Sequence, residues 1–461
     1  MSRALPQAPS QRARRWDIVM LGGALPGLAA AIRLGMGGLR VLVIEEEASA
    51  KTPDFVREPF FLPGGFGDGI VDACLRSLGI PVIDRRELVA SELAYQVLLP
   101  DARIDVGNAH VTAEELTAWG LAKPELAQGL LRQLAEAARA EGEALLAADP
   151  ARGHALRMGK RAPLQIAARG LPAGMRELAA PLARFFALQT RGLSNLANAT
   201  PSPEALARLL GSALLGGTSL ADSHGGVRAL LRRRLATLHA EFRALSGPFQ
   251  FVEVGEHPGI AREQAGDVWI GRALILNAPV AKIAAAQSAW GFEAPQFLDG
   301  VAPSARRVSL HLRALAEAIP EPLAPRALLA SDALPGGVAL SVLPSPRGAR
   351  FVELVARAVG PDDAASAPAL EAAIREAVGM LVPLEDPRIA IAPSSELPIW
   401  DDEAALVDPE RGAGFAALPP LRAGGRRPIF RLPREAVAAL GVEGDLLLGC
   451  QAGDAIRGEL G

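Results

Sequence analysis

The feature that most constrains this chain is a strand–glycine–helix–strand pattern near its N-terminus. An apolar run leads into Gly22, Gly23 and Gly27. A helical stretch follows, and a second apolar run ends on the acid Glu45. Glycine permits a sharp turn from strand to helix, and the N-terminus of a helix presents unpaired N–H groups to a phosphate. Residues 16–47 therefore predict a βαβ unit of the kind that binds a dinucleotide.

Each position of this turn has an expected role. Gly22 ends the strand abruptly, and Gly27 lets the helix lie close to the strands. Glu45 is placed to accept hydrogen bonds from a ribose. Ala24 stands where the motif has its second glycine, so a methyl group narrows the approach of a phosphate. The alternative interpretation is a βαβ unit that keeps the shape but no longer binds the ligand.

Composition excludes several classes of protein. The chain has 461 residues, enough for two domains or more, and 50% of them are hydrophobic. Its net charge of −3 does not indicate a nucleic-acid partner. Two cysteines and six scattered histidines give no spacing typical of a disulfide framework or a metal site. We expect a cytoplasmic protein of bacterial-type composition, because we find neither a secretory signal nor a long apolar run.

The features of a nucleotide-binding domain occur in three separated parts of the chain. We therefore predict an α/β fold with a discontinuous Rossmann-like domain, an antiparallel-sheet substrate domain and a helical insertion. The nucleotide-binding domain is expected at 16–90, 222–285 and 428–461. The substrate domain, with a mixed or antiparallel sheet, is expected at 91–110 and 286–427, the helical insertion at 111–221, and a flexible N-terminal tail at 1–15.

Alternating apolar residues predict the strands of the substrate domain. These strands are expected at 307–315, 326–330, 338–343 and 350–359, with a helix over 369–381. Near the end of the chain, an apolar run predicts a strand at 445–448, followed by a glycine-bearing turn at 449–458.

The order of these features resembles the superfamily of flavin-dependent amine oxidases and phytoene desaturases. The glycine turn with Glu45 resembles the FAD-binding unit of that family. Gly225-Gly226-Val227 and the helix after it resemble the family's "GG…L" helix. The strand that ends at Val254 resembles the strand beside the adenine, which implies a backbone contact from Val254 to that ring.

Two later segments carry the rest of the resemblance. Residues 267–279 resemble the family's "G-x-x-x-x-A-D-x-V-I-x-A-x-P" strand. Residues 449–458 resemble the C-terminal turn that passes the flavin pyrophosphate and ring, which implies cofactor contacts from Gly449 and Asp454. The alternative interpretation, that Asp454 caps a turn, fits the sequence equally well.

The chain also departs from the family pattern. The family usually has a G-G-R-type loop soon after the ribose-binding acid, and residues 46–55 contain no such loop. Cys450-Gln451 stands where the C-terminal turn commonly carries an acid. The chain ends shortly after Gly458, so we expect the helix that usually packs after this turn to be missing or very short.

Two functions are compatible with these residues. The resemblance implies an oxidoreductase of desaturase, dehydrogenase or isomerase type. It would hold FAD non-covalently and take a hydride from a hydrophobic small molecule, and the sequence names no catalytic residue. The alternative is a catalytically inactive, flavin-free binding or scaffold protein on the same fold, with a lipid group or a protein as partner. Ala24 and the departures favour the alternative, whereas Gly22, Gly27 and Glu45 favour the enzyme.

One apolar segment leaves a further choice open. Residues 206–217 are expected either to contact a membrane peripherally or to pack in the core, as apolar helices of large domains usually do. The basic run Arg232–Arg234 is interpreted as a solvated helix face.

Overall fold

The structure is a computed structural model that describes most of the chain. The described residues are 13–64, 69–147, 171–175, 177–220, 226–262, 266–393, 396–409, 420–423 and 427–461. Residues 1–12 of the expected N-terminal tail, residues 148–170 of the expected helical insertion and Gly225 lie outside them.

The described residues form eighteen strands and thirteen α-helices. The strands are β1 Ala13–Leu21, β2 Val41–Glu46, β3 Leu62–Pro63, β4 Leu88–Ser91, β5 Tyr95–Leu99, β6 Ala102–Val106, β7 Gly217–Leu220, β8 Glu241–Leu245, β9 Phe249–Val254, β10 His257–Arg262, β11 Val268–Leu276, β12 Ala305–Leu315, β13 Arg326–Leu329, β14 Val338–Pro344, β15 Phe351–Pro361, β16 Ile389–Ile391, β17 Ala405–Leu406 and β18 Ile429–Arg431. The helices are α1 Leu25–Met36, α2 Glu47–Lys51, α3 Asp54–Arg57, α4 Ile70–Ser77, α5 Val82–Arg85, α6 Ala109–Ala118, α7 Pro124–Ala147, α8 Ala180–Leu193, α9 Pro203–Ser212, α10 Val227–Thr237, α11 Val280–Ala289, α12 Ala367–Gly379 and α13 Gly441–Leu460.

The first sheet has seven strands and contains the N-terminal βαβ unit. Its order is β8-β2-β1-β11-β10-β9, with β18 paired to β11. Strands β8, β2, β1, β11 and β18 pair in parallel, whereas β10 and β9 pair antiparallel. The strand–helix–strand prediction for the N-terminus is confirmed, and α1 begins at Leu25. The glycine turn therefore lies at the carboxyl end of a central parallel strand, where α/β folds bind ligands.

The second sheet has eight strands and confirms the predicted antiparallel set. Its order is β16-β12-β15-β14-β13-β5-β6, with β17 paired to β12, and only the β13–β5 pair is parallel. Helix α12 covers one face, where Leu370, Ile374 and Val378 join the buried core of the sheet. The other face of β12 and β15 lines a large cavity described below.

The predicted helical region packs into a core of its own. Helices α7, α8 and α9 bury Leu131, Phe185 and Leu210 against β5 and β6. Leu209, Leu210 and Leu214 from the ambiguous segment 206–217 are all buried. These three side chains therefore pack in the core, as the second interpretation of that segment expects. A third sheet has three short strands in the order β3-β7-β4.

The C-terminal prediction was wrong in two respects. Residues 445–448 are not a strand, and residues 449–458 are not a turn, because both belong to the 20-residue helix α13. The helix expected to be missing or very short is thus present, and the strand that joins the first sheet is β18, earlier in the chain. The physical reason is packing, because α13 buries its apolar residues against α1, and this tertiary contact overrides the strand-like apolar run.

Among the described residues, no helix combines the length and the apolar character needed to cross a membrane.

Candidate functional site

The glycine turn is held in shape by Asn277, which follows β11. Gly22 has φ +104°, a left-handed conformation that L-residues rarely adopt. The Asn277 Nδ2 atom donates to the carbonyl oxygens of Gly22 and Ala24, each at 3.1 Å. A Cβ on Gly27 would lie 2.0 Å from that same Nδ2. Gly22 and Gly27 are therefore required by the turn itself, whether or not a ligand binds there.

The start of α1 offers few groups to a phosphate. Ala24 is the N-cap, and Pro26, in the first turn, has no backbone N–H to donate. The carboxylate of Glu45 lies directly over the turn, because a Cβ on Gly23 would be 1.9 Å from the Glu45 Oε1 atom. The space in front of the glycines is thus filled by a side chain of the chain itself.

Glu45 is neutralised by arginines of α10. Its Oε1 atom accepts from Arg228 Nη2 at 3.0 Å, and both carboxylate oxygens accept from Arg232 Nη1 at 3.0 Å. Arg57 Nη1 approaches Oε1 to 3.6 Å. Glu45 is 2% exposed, so these contacts form in the interior. The acid expected to bind a ribose is already engaged on both oxygens.

Arg228 also joins Glu45 to two other acids. Its Nε atom binds Asp54 at 3.0 Å, and its Nη1 atom binds Glu403 at 3.1 Å. Arg57 binds the other oxygen of Glu403. We call Glu45, Arg57, Arg228, Arg232 and Glu403 the arginine cluster. The side chain of Arg228 is 0% exposed, so the cluster is a buried ionic network rather than a surface one.

A second glutamate closes the N-terminus of α10. The Glu58 carboxylate accepts from the backbone N–H groups of Val227 and Arg228, both at 2.8 Å. A Cβ on Gly226 would be 2.0 Å from the Glu58 Oε2 atom. The helix N-terminus that would attract an anionic ligand therefore already holds the carboxyl group of Glu58.

The pKa values of the buried acids are shifted in opposite directions. Burial opposes the charge of Glu403, but Arg57 and Arg228 outweigh it and lower the pKa of that carboxyl to about 2. Burial raises the pKa of Glu58 to about 7, in spite of the hydrogen bond from the Arg228 backbone. Burial likewise raises the pKa of Asp401 to about 7, with Arg57 opposing the rise.

These raised values give a pH prediction. The pKa of Glu58 rises from 4.5 to about 7 on folding, so between these values the folded state binds more protons than the unfolded state. The free energy of unfolding should therefore fall as the pH rises through this window, by up to about 1.4 kcal/mol per pH unit for each such group. Urea unfolding at pH 5, 6 and 7 should show this slope, and Glu58→Gln should flatten it. An unchanged slope in the variant would contradict the assignment to Glu58.

The main cavity lies beside this network. It has a volume of about 540 Å³ and is bounded by β12, β15, the start of α12 and the segment 396–404. Arg57, Glu58 and Glu403 form part of its wall, but Gly22, Gly23 and Gly27 do not. Ala24 and Asn277 instead line a separate cavity of about 50 Å³. The volume is that of a small-molecule site, and the wall includes residues of the second sheet together with Leu25, the first residue of α1.

The expected site residues fall into two groups. Gly22, Gly23, Ala24, Gly27 and Glu45 come together at the glycine turn. The other three, Val254, Gly449 and Asp454, do not join them, and their cofactor role stays a prediction.

The last three lie in other settings. Val254 ends β9 at the far edge of the first sheet, whereas β8 is the strand beside β2. Gly449 lies in α13, where a Cβ would be 2.4 Å from the Pro26 carbonyl oxygen. Asp454 forms an ion pair with Arg33 at 2.6 Å, so it joins α13 to α1.

Sequence reasoning missed the residues that fill the site. Arg232 was interpreted as part of a solvated helix face, but it binds Glu45. Arg228 and Arg232 are four residues apart on α10, so they lie on one face of the helix. Two arginines on the same face as the buried Leu231 and Leu235 would have indicated an internal acid as their partner.

FAD, the cofactor that the resemblance implies, does not fit the described arrangement. Glu45, the acid expected to bind a ribose, is paired with arginines, the face of Gly23 is covered, and the cavity at Ala24 measures only about 50 Å³. A dinucleotide would have to displace the arginine cluster from Glu45, which would leave buried charges without partners.

Comparison with known proteins shows the fold. No family model and no curated protein matches the chain. An oxidoreductase from Methanosarcina mazei superposes with a TM-score of 0.53 at 14% identity, over 95% of this chain and 99% of that one. Cyclohexylamine oxidase from Brevibacterium oxydans IH-35A (TM-score 0.50, 14% identity, 96% and 99% covered) and wild-type putrescine oxidase bound to putrescine (TM-score 0.50, 14% identity, 96% and 99% covered) are also similar. The chain thus has the mixed α/β fold of these oxidoreductases.

Proposed function

We propose that the chain is a flavin-free protein that binds a small molecule in its main cavity, on a fold shared with oxidoreductases. The observation that carries this proposal is the ion pair between Arg228 and Glu45, which occupies the acid that a bound nucleotide would need. A fold shared with enzymes does not by itself supply their chemistry.

Arg228 is unlike a surface arginine that moves aside for a ligand. Its guanidinium is fully buried and binds three acids, Glu45, Asp54 and Glu403. Withdrawing it from Glu45 would leave that carboxylate buried with only Arg232 and the more distant Arg57. Removing one partner from a buried network of this kind typically costs about 3–5 kcal/mol. This cost is comparable to a large part of the free energy that a ligand gains on binding. The network therefore opposes the binding of a nucleotide.

The main cavity supplies the binding site in this proposal. It is lined by apolar side chains such as Phe61, Leu193 and Leu209 together with several charged groups. Ligand pockets of about 300–1,000 Å³ with mostly apolar walls and a few polar groups are typical of small-molecule sites. A hydrophobic small molecule is therefore retained as the partner, and the site needs no flavin to hold it.

The second candidate is an FAD-dependent oxidoreductase acting on a hydrophobic small molecule. The fold shared with the oxidoreductase, the cyclohexylamine oxidase and the putrescine oxidase favours it, as does the preserved turn at Gly22 and Gly27. This function requires that the arginine cluster release Glu45 when FAD enters, and both the fully buried Arg228 and the 30% exposed Arg232 would have to leave that carboxylate.

The absorption spectrum of the purified protein distinguishes the two candidates. We expect a colourless protein that releases no flavin on denaturation. A visible flavin spectrum, with FAD released in an amount equal to the protein, would overturn the proposal and support the oxidoreductase.

A further inference from the structure

Two arginines of the second sheet point into the main cavity together. Strands β12 and β15 pair antiparallel, with Arg307 opposite Val359 and Ser309 opposite Arg357. Arg307 and Arg357 are therefore diagonal neighbours on one face of the sheet, and Ser309 shares that face. All three side chains line the cavity. The sheet thus presents two guanidinium groups and a hydroxyl to the same space.

These two arginines have only uncharged partners. Arg307 donates to the Asn195 Oδ1 atom at 2.9 Å and to the Ser194 carbonyl oxygen. Arg357 donates to the Val56 carbonyl oxygen at 2.6 Å. Within the part of the chain that the structure describes, no carboxylate lies within 4.0 Å of either guanidinium. Both differ in this from Arg57, Arg306 and Arg434 of the same wall, which pair with acids.

Two further donors in the wall are also unused. Arg57 Nη2 and Arg306 Nε are buried and have no hydrogen-bond partner among the described residues. Their side chains are 7% and 6% exposed, and both residues line the cavity. A buried donor without a partner is costly, and native structures usually supply one. The wall of the cavity therefore holds hydrogen-bond donors that its own described residues leave unsatisfied.

The electrostatics of the two arginines agree with this geometry. Burial lowers the pKa of Arg307 to about 9, with repulsion from Arg434 and Arg357 adding to the effect. Burial also lowers the pKa of Arg357 to about 10, although Glu58 and Glu403 oppose it. A guanidinium keeps its proton in proteins, so these groups stay charged. The lowered pKa values therefore indicate that burial destabilises both cations. An anion beside them would remove that destabilisation.

The acids of the wall limit the charge of the ligand. Glu403, Asp402 and Asp445 are each held by a basic partner, and Glu443 by Arg208, whereas Glu58 accepts from two backbone N–H groups. The basic partners offset most of the charge of these acids. The remaining negative potential opposes the binding of an ion with more than one negative charge. A single planar carboxylate matches the fork of a guanidinium and adds the least charge.

We infer that the main cavity binds an apolar carboxylic acid, with its carboxylate at Arg307, Ser309 and Arg357 and its chain along Phe61, Leu193 and Leu209. This inference rests on the proposed function and names the ligand class of the same cavity. The inference is narrower than the proposed function. It requires a carboxylate ligand, whereas the proposed function holds for any small molecule that binds without flavin.

Isothermal titration calorimetry with dodecanoate and with dodecanol tests the inference. The two probes share a chain and differ in the charged head. Dodecanoate should bind the wild-type protein at least about tenfold more tightly than dodecanol, because hydrogen bonds to charged groups contribute more than neutral ones. Arg307→Gln and Arg357→Gln should each lose about tenfold for the acid while leaving the alcohol unaffected.

Matched controls keep the result interpretable. Arg347→Gln removes an exposed arginine that follows the neighbouring strand β14 and does not line the cavity, so it should bind both probes as the wild type does. Retained binding of dodecanol in the cavity variants shows that the site is still folded. Equal affinity for the two probes, no binding of dodecanoate, or unchanged dodecanoate binding in both variants would overturn the inference. The proposed function would fall separately, through a flavin spectrum.

Discussion

Replacing Arg228 by methionine is expected to lower the free energy of unfolding by about 3–5 kcal/mol, the cost of leaving a buried charge without its partner. Arg228 is fully buried and is the common partner of Glu45, Asp54 and Glu403. Methionine keeps much of the apolar volume, so the loss reports the charge rather than a cavity. Urea unfolding followed by tryptophan fluorescence measures it.

A second substitution separates charge from packing at the same position. Adding Glu45→Gln to the Arg228→Met variant removes one of the stranded charges, and the pair should be more stable than the single variant. Arg243→Met is the matched control, because its ion pair with Glu241 is 46% exposed on both sides and should contribute less than about 1 kcal/mol. Equal losses for Arg228→Met and Arg243→Met would contradict a buried network.

Gly449→Ala and Gly458→Ala should change stability in opposite directions, although both replace a glycine of α13. A Cβ on Gly449 would lie 2.4 Å from the Pro26 carbonyl oxygen and 2.6 Å from the Ala29 Cβ. The two helices must separate to admit it, and overpacking of this kind costs about 1–3 kcal/mol. A Cβ on Gly458 meets nothing within 4 Å, so alanine should stabilise the helix there by about 0.5–1 kcal/mol.

The comparison also tests what Gly449 does. If it belonged to a cofactor turn and not to the contact between α1 and α13, alanine would affect ligand binding and leave the stability of the unliganded protein nearly unchanged. Thermal and urea unfolding of the two variants in the absence of any ligand decide between these roles. Similar stability changes at both glycines would show that the helix packing is assigned wrongly.

Much of the fold could be predicted because its signals are local. The turn at Gly22 and Gly27 is fixed by short-range backbone geometry, and the strands of the second sheet follow from alternating apolar residues. The prediction of a strand at Leu446 to Leu448 was wrong because it also depended on a local signal alone. An apolar run of this length fits a strand or a buried helix, and the choice depends on contact with α1, which is distant in sequence.

The contents of the site could not be predicted, because they depend on long-range pairs. Arg228 and Glu45 are 183 residues apart, and Arg228 and Glu403 are 175 apart. The motif around Glu45 is the same whether a ribose hydroxyl or a guanidinium donates hydrogen bonds to that carboxylate. Arg307 and Arg357 came together only through the register of β12 and β15. The sequence thus identified an α/β fold, and the structure shows that arginines of the chain itself pair with Glu45.

Calorimetric titration of the purified protein with FAD tests the central claim most directly. The arginine cluster occupies Glu45 and covers the glycine turn, so we expect no heat of binding beyond dilution and no flavin retained after gel filtration. Stoichiometric binding of FAD, with the flavin spectrum kept through gel filtration, would contradict the claim and show that the cluster opens to admit the cofactor.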